Sequence, residues 1–241
     1  MISKSIQPDK FDFLKGEVIL IDKPQGFTSF DVIRYLKKNL RGQFKKIGHA
    51  GTLDPMATGL LILCTGKETK NIHKYQDASK KYSGTLKLGA STPSLDKETE
   101  EDASCSIEQI TPEKIHHAAK SFEGQITQIP PMYSALRHQG KRLYELARKG
   151  EEVKRKERTV EIFDFHITDI NLPYVNFEVH CSKGTYIRTL AADLAEKMDN
   201  LAYLTALRRT AIGSYEAADA LSPEELKNLV LEKMPANAPK D

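Results

Sequence analysis

Short apolar runs bounded by turn residues are interspersed with amphipathic segments along this chain. Residues 16–22 and 60–65 are aliphatic runs followed by glycine or proline, which predicts two buried strands. Residues 81–88, 159–170 and 174–182 alternate between apolar and polar positions, which predicts three further strands. Because only a short turn containing proline separates the last two, we expect them to pair antiparallel.

Four other segments place apolar residues at helical spacing behind a capping residue. These helices are expected to begin near Thr28, Thr111, Thr185 and Ser222. Residues 45–59 are rich in glycine and lack a period, which predicts a loop. Residues 124–157 contain Pro130-Pro131, few aliphatic residues and dense charge, which is typical of an insertion outside the core.

Locally paired strands with helices between some of them, and no regular βαβ period, favour one fold class. We predict an α+β fold with a mixed, largely antiparallel central sheet flanked by helices. The 241 residues suffice for one substantial domain, and we assign residues 1–241 to it.

Composition narrows the class of protein. The longest apolar run, residues 60–64, is far shorter than the ~20 residues that span a bilayer. The first 14 residues lack the pattern of a secretory leader. The three cysteines are widely spaced, which argues against a disulfide framework and a structural zinc site. We therefore expect a cytoplasmic protein that does not associate with membranes.

Charge is unevenly distributed although the net charge is only +3. Residues 34–46 hold six basic residues and no acid, and residues 137–158 hold nine basic and four acidic residues. Such segments can form a footprint for a polyanion such as nucleic acid. Charge alone favours the simpler interpretation, a set of solvated lysine-rich faces.

The stretch G-H-A-G-T-L-D-P-M-A-T-G, residues 48–59, is the most informative part of the chain. Its glycines permit tight turns, and Pro55 restricts the backbone of Asp54. An Asp-Pro pair in isolation is usually a turn. The chain contains no G-x-S-x-G, Walker loop or G-x-G-x-x-G. A glycosidase would need a second carboxylate, which no motif supplies. A lone aspartate fits covalent or deprotonating chemistry without metal or cofactor.

The sequence resembles a known family, the TruB-type tRNA pseudouridine synthases. The resemblance runs along nearly the whole chain and is carried by several long motifs in order. They are I-D-K-P-Q-G-F-T-S (21–29), the stretch 48–59, K-K-Y-S-G-T-L-K-L-G (80–89), I-P-P-M-Y-S-A-L-R-H-Q-G-K-R-L-Y-E-L-A-R (129–148), C-S-K-G-T-Y-I-R-T-L (181–190) and L-R-R-T-A-I-G (207–213).

The resemblance implies roles for particular residues. Asp54 matches the catalytic aspartate, Arg188 the arginine that pairs with it, and Tyr82 the tyrosine that stacks on the flipped base. His49 matches a histidine that helps to extrude the nucleotide. Three other residues match positions that line the uridine pocket or support the catalytic loop: Tyr186, Leu207 and Lys23.

The resemblance also implies a substrate and an architecture. The family isomerises the uridine at position 55 in the T loop of tRNA, without a cofactor or metal. A thumb-like insertion at residues 124–152 would contact RNA through basic residues that include Arg137, Lys141 and Arg142. Residues 216–241 are expected to form a short helix and tail, without the PUA module that many relatives carry. We expect a monomer with no protein partner.

Two alternatives remain open from the sequence. An aspartate-dependent glycosidase is disfavoured because no motif supplies a second carboxylate. A catalytically silent RNA-binding or tRNA-folding protein could use the same scaffold. The presence of Asp54, Tyr82 and Arg188 together argues against it.

Overall fold

The computed structural model describes residues 1–233. Its strands are β1 Val18–Lys23, β2 Ile47–His49, β3 Thr58–Thr65, β4 Lys80–Leu88, β5 Ala90–Ser91, β6 Ala103–Ser104, β7 Gly124–Gln128, β8 Arg137–His138, β9 Lys141–Arg142, β10 Arg158–Asn171, β11 Tyr174–Cys181, β12 Ala202–Ile212 and β13 Tyr215–Glu216. Its α-helices are α1 Ser29–Asn39, α2 Ile72–Asp77, α3 Pro112–Lys120, α4 Leu143–Ala147, α5 Ile187–Glu196 and α6 Pro223–Lys233, and 3-10 turns cover Gly66–Asn71 and Ala217–Asp219. The tail from residue 234, and with it the prediction that no PUA module follows, lies outside the described residues.

The chain forms two compact units. The first consists of residues 1–82 and the chain from residue 208 onward, and the second of residues 83–207. The boundaries fall within β4 and β12. The assignment of the whole chain to one domain stays a prediction.

Strand β3 is central in the first unit. β1 and β2 pair with it antiparallel, and the end of β12 pairs with it parallel, with Arg209 opposite Gly59. Both faces of β1 and β3 are apolar and covered, and helices α1 and α6 pack together in this unit. This arrangement confirms the predicted mixed, largely antiparallel sheet with flanking helices.

Helix α1 begins where the sequence predicts. The Thr28 side chain accepts a hydrogen bond from the Asp31 backbone N–H, and the Asp31 carboxylate accepts one from the Thr28 backbone N–H. These two bonds satisfy backbone donors that a helix start leaves without partners. Val32, Ile33 and Leu36 then face the core.

In the second unit, the predicted antiparallel pair is confirmed. β10 pairs with β11, for example Phe165 opposite Val179, and on its other side with β7. Helix α3 packs on β10, and helix α5 contacts α3. Alternate apolar residues of the two strands are thereby buried, namely Val160, Ile162 and Phe165 in β10 and Val175, Phe177 and Val179 in β11.

The structure contains elements that the patterns did not predict, among them α2 and β12, and it differs from the prediction within two regions. Within the predicted loop 45–59, Ile47–His49 is a strand, because its backbone pairs with β3 although its side chains do not alternate. Within the predicted insertion, Gly124–Gln128 is a sheet strand whose one apolar side chain is Ile126, and Leu143 and Leu146 are buried. Backbone pairing at a sheet edge needs no apolar pattern, which is why the pattern missed both strands.

Candidate active site

Residues 50–57 connect β2 to β3 as a hairpin loop, called here the Asp54 loop. Gly51 has a φ of +95°, a conformation that disfavours any side chain. Ala50, Leu53 and Ala57 are buried, whereas Asp54 is half-buried. The loop is therefore anchored by small or apolar residues on both sides of a carboxylate that remains accessible.

Backbone hydrogen bonds fix the loop on either side of Asp54. The Leu53 N–H donates to the hydroxyl of Ser29, the first residue of α1, at 2.8 Å. The Pro55 carbonyl accepts from the Gly26 N–H at 2.8 Å, and the Ala57 N–H donates to the Asp54 carbonyl at 3.1 Å. These bonds restrict the backbone on both sides of Asp54.

Lys23 supports the same loop from the end of β1. Its side chain is fully buried, and its ammonium group donates to the carbonyls of Pro24, Phe27 and Pro55. Burial lowers the pKa of Lys23 to about 8, although the Asp54 carboxylate acts in the opposite direction and raises it. Lys23 and Asp54 therefore lie within electrostatic range of each other. This position fits the predicted supporting role of Lys23.

His49 ends β2, directly before the Asp54 loop. Burial lowers the pKa of its imidazole, the Arg209 guanidinium lowers it further, and an interaction with the Gly51 backbone raises it. Among the described residues, its Nδ1 atom has no hydrogen-bond partner. The environment consequently favours a neutral imidazole at physiological pH.

Tyr82 lies near the start of β4 and is half-buried. The strand start is fixed by Lys80, whose ammonium group donates to the carbonyls of Tyr75, Gln76 and Ala78 at the end of α2. A cation at the carboxyl end of a helix satisfies carbonyls that the helix leaves unpaired. Lys80 therefore positions the strand that carries Tyr82.

Arg188 lies in the first turn of α5 in the second unit. From that helix position alone its side chain is expected to be solvated, but it is only 4% exposed. Its Nη1 donates to the Ser94 carbonyl at 2.8 Å, its Nη2 donates to the Tyr133 carbonyl at 2.7 Å, and its Nε lies 3.5 Å from Asp96 Oδ2. A buried charge requires such partners. The pairing of Arg188 with Asp54 joins residues of different units and stays a prediction.

Tyr186 and Leu207 lie elsewhere in the second unit. Tyr186 caps α5, is half-buried, and exchanges two backbone hydrogen bonds with the Gln128 side chain, while the Arg158 guanidinium lies 5.2 Å from its ring centroid. Leu207 is buried in β12. Their predicted contact with a uridine stays a prediction.

Strands β8 and β9, residues 137–142, form a small hairpin, called here the basic hairpin. Arg137 and Lys141 are exposed and Arg142 is half-buried. The guanidinium groups of the two arginines donate to the Gly140 and Ala135 carbonyls respectively. The hairpin therefore presents two exposed cationic side chains and one half-buried cationic side chain.

Sequence reasoning missed four residues that this arrangement depends on: Ser29, Arg209, Ser94 and Asp96. Ser29 and Asp96 are polar residues that are buried, and Arg209 is a fully buried cation. Two adjacent arginines at residues 208 and 209 could have indicated a strand with opposite faces, because neighbouring side chains in a strand point in opposite directions.

Residues 1–233 lack two kinds of feature. Within this part of the chain, no group of three or more histidine, cysteine, aspartate or glutamate side chains could hold a metal ion. Within the same range, no helix is both long and apolar enough to cross a membrane.

Comparison with known proteins gives consistent results. Residues 37–187 match the sequence model described as "TruB family pseudouridylate synthase (N terminal domain)". The chain is 48% identical over 222 residues to "tRNA pseudouridine synthase B" of Chloroherpeton thalassium, covering 91% of this chain and 90% of that protein. It is 49% identical over 215 residues to the protein of the same name in Flavobacterium johnsoniae, covering 87% and 94% respectively.

A structural comparison extends this result. The fold is similar to a chain in the "Crystal Structure of a Cbf5-Nop10-Gar1 Complex", with a TM-score of 0.72 and 27% sequence identity. The similarity covers 97% of this chain but 60% of the other, so this chain spans less than two thirds of that one.

Proposed function

The chain belongs to the TruB family of pseudouridylate synthases, and from that premise we propose that it converts the uridine at position 55 in the T loop of tRNA to pseudouridine, with Asp54 as the catalytic group. Relatives that are 48% and 46% identical to this chain are named tRNA pseudouridine synthase B, which supports isomerisation of uridine in tRNA. The T-loop position and the role of Asp54 go beyond that shared activity.

The single observation that carries the proposal is the construction of the Asp54 loop. A half-buried carboxylate stands between the Leu53 and Pro55 backbones, each of which is bonded to another part of the first unit. Preorganised groups of this kind reduce the reorganisation that a reaction requires. A solvent-facing turn would need none of these bonds.

The reaction is an isomerisation, so every atom of the nucleotide is retained. The N1–C1′ bond breaks, the uracil ring turns, and a C5–C1′ bond forms while the C5 proton is lost and N1 gains one. Asp54 can act as the nucleophile that holds the detached fragment or as the base that removes a proton. Both routes need an ionised carboxylate, and both proceed without a cofactor.

The target base has to leave the stacked loop before any bond can break. Flipping costs a few kcal/mol of unstacking. Stacking on an aromatic ring returns about 1–3 kcal/mol per base, which is the role proposed for Tyr82. We assign His49 to the place that the base vacates, and Tyr186 and Leu207 to the walls of the uridine pocket.

The basic hairpin is proposed as a contact for the T-arm backbone. Its Arg137, Lys141 and Arg142 can bind phosphates, and the resulting affinity should depend strongly on salt. The T loop would be recognised by shape and by its extruded uridine. A monomer acting in the cytoplasm, where tRNA is found, fits this assignment.

Unmodified tRNA transcript provides the test. Incubated with the protein and a metal chelator, it should gain one pseudouridine at position 55, located by carbodiimide labelling and primer extension. A T-arm stem-loop should be converted with a kcat/KM within 100-fold of that of whole tRNA. Conversion at another position would refute the T-loop assignment, and binding without conversion would favour the silent RNA-binding alternative.

A further inference from the structure

Among residues 1–233, Arg209 is the largest fully buried side chain of the first unit, and the proposed chemistry gives it no role. It lies in β12 beside Arg208, and the two arginines differ. Arg208 is partly exposed and forms a bidentate pair with Asp22, with distances of 2.9 and 2.7 Å. Arg209 points to the opposite face of the strand and is 1% exposed. Within residues 1–233, its side chain donates hydrogen bonds to backbone carbonyls alone.

The two acceptors of Arg209 lie on opposite sides of the Asp54 loop. Its Nε donates to the Leu60 carbonyl at 2.8 Å, where β3 follows the loop. Its Nη2 donates to the Gly51 carbonyl at 3.1 Å, three residues before Asp54. One planar guanidinium therefore connects the two ends of the loop with two bonds of fixed relative direction.

Two glycines of the loop motif, Gly51 and Gly59, lie against the same arginine. A Cβ atom at Gly59 would come within 2.3 Å of the Arg209 carbonyl oxygen and 2.8 Å of its backbone nitrogen, so the strands can approach only at a glycine. A Cβ atom at Gly51 would lie 3.5 Å from Arg209 Nη1, at a φ that already disfavours side chains. The backbone of Arg209 thus requires glycine at residue 59, while its guanidinium lies in van der Waals range of residue 51.

The charge of Arg209 also reaches the functional groups next to the loop. It lowers the pKa of His49 and, together with burial, that of Lys23. Charges interact strongly when they are removed from water. A fixed cation at this position favours the uncharged form of His49.

We infer that Arg209 is a positioning residue for uridine isomerisation: it holds Asp54 at the reacting geometry through the Gly51 and Leu60 carbonyls. This inference rests on the proposed role of Asp54. Lys23, Gly26 and Ser29 fix the loop on either side of Asp54, and Arg209 holds its start at Gly51 and the strand that follows it at Leu60. Errors of about 1 Å in the placement of a catalytic group can reduce rates 100-fold.

Two variants test the inference. Arg209→Met removes both bonds and the charge, and should lower kcat about 100-fold while the Kd for tRNA stays within threefold. Arg209→Lys keeps a charge but lacks the planar fork, and should fall between wild type and Arg209→Met. Val230→Ala, a core change on α6, is the control for lost stability and should leave kcat unchanged at a temperature where it is folded.

A second readout does not depend on catalysis. Titration of the His49 imidazole by NMR should give a higher pKa in Arg209→Met than in wild type, and a smaller change in Arg209→Lys. If Arg209→Met does not fold, Arg209→Lys decides: a loss of kcat of tenfold or more with unchanged Kd supports the inference. A kcat within threefold of wild type in either folded variant would overturn it, as would an unchanged His49 pKa in Arg209→Met. Failure of the proposed function would show differently, as full activity of Asp54→Asn.

Discussion

In the Asp54 loop, the backbones of Gly51, Leu53 and Pro55 are bonded to β12, α1 and the end of β1. In the basic hairpin, the guanidinium groups of Arg137 and Arg142 donate hydrogen bonds to the carbonyls of Gly140 and Ala135, which lie nearby in sequence. The first region fixes one carboxylate in place, and the second displays several cations to solvent. Bond rearrangement requires fixed geometry, whereas attraction of an RNA backbone requires accessible charge. Changes in the Asp54 loop should therefore lower kcat, and changes in the basic hairpin should raise the Kd for tRNA.

The largest effect is expected from Asp54→Asn. The change removes the charge but keeps the shape, so turnover should fall more than 100-fold while the Kd for tRNA stays within several-fold. Single-turnover conversion and filter binding on the same tRNA measure the two quantities. Residual isomerisation above about one hundredth of the wild-type rate would contradict the assignment of Asp54.

Arg188→Lys should be nearly as severe. A lysine provides a point charge and cannot reproduce three directed contacts, to Ser94, Tyr133 and Asp96. We expect kcat to fall about 100-fold in a variant that circular dichroism shows to be folded. A near-normal rate would mean that the fork is not needed, and the proposed pairing with Asp54 would then be wrong.

Ser29→Ala tests the ties of the loop without touching a charged group. Loss of the hydroxyl leaves the buried Leu53 N–H without its partner, which costs about 1–3 kcal/mol of stability. We expect kcat to fall about tenfold because the loop loses one of its bonds. Ser222→Ala is the matched control, since it removes the cap of α6 at a similar cost but lies on another element. Equal kcat values in the two variants would show that the hydrogen bond between Leu53 and Ser29 does not position Asp54.

Removal of charge from the basic hairpin should act on binding alone. The triple variant Arg137→Gln, Lys141→Gln, Arg142→Gln should bind tRNA more weakly, and the slope of log K against log salt should fall by about 0.7–0.9 per lost phosphate contact. As a control, Lys4, Lys10 and Lys114, all exposed elsewhere, are changed to glutamine. The same loss in both triple variants would indicate a nonspecific effect of net charge.

The smallest effect concerns pH and Lys23. Its pKa is lowered to about 8 in the folded protein from an ordinary value of 10.5. Between these two values the unfolded chain binds the extra proton, so the contribution of Lys23 to the free energy of unfolding rises with pH. Urea denaturation of wild type and Lys23→Met at pH 7 and pH 10 isolates this contribution. The free energy of unfolding of wild type minus that of Lys23→Met should be larger at pH 10 than at pH 7. Equal differences at the two pH values would contradict the lowered pKa.

The fold class was predictable because the residues that define it follow simple periods. Alternation identified β10 and β11, and the capping box at Thr28 and Asp31 identified the start of α1. β12 was not predictable in the same way, because two arginines interrupt its apolar residues. Those arginines fit a strand only because Asp22 and two backbone carbonyls, all distant in sequence, satisfy them.

Within the candidate site, motifs pointed to the residues proposed to carry chemistry and to Lys23, but not to most of the residues that hold them. Asp54 stands in a motif whose glycines and proline mark it as unusual. Ser29 resembles an ordinary first residue of a helix, and its bond to Leu53 depends on tertiary structure. The burial of Arg188 likewise depends on Ser94 and Tyr133, which lie 94 and 55 residues away in sequence.

Single-turnover conversion of saturating wild-type, Asp54→Asn and triple-variant enzyme with unmodified tRNA tests the central claim most directly, namely that the Asp54 loop performs the reaction and the basic hairpin holds the RNA. At saturation the triple variant should form pseudouridine at position 55 with a rate constant within twofold of wild type, and Asp54→Asn should form less than one hundredth as fast. A triple variant that stays slow at saturating concentration, or an Asp54→Asn enzyme that converts the uridine at a comparable rate, would contradict the account.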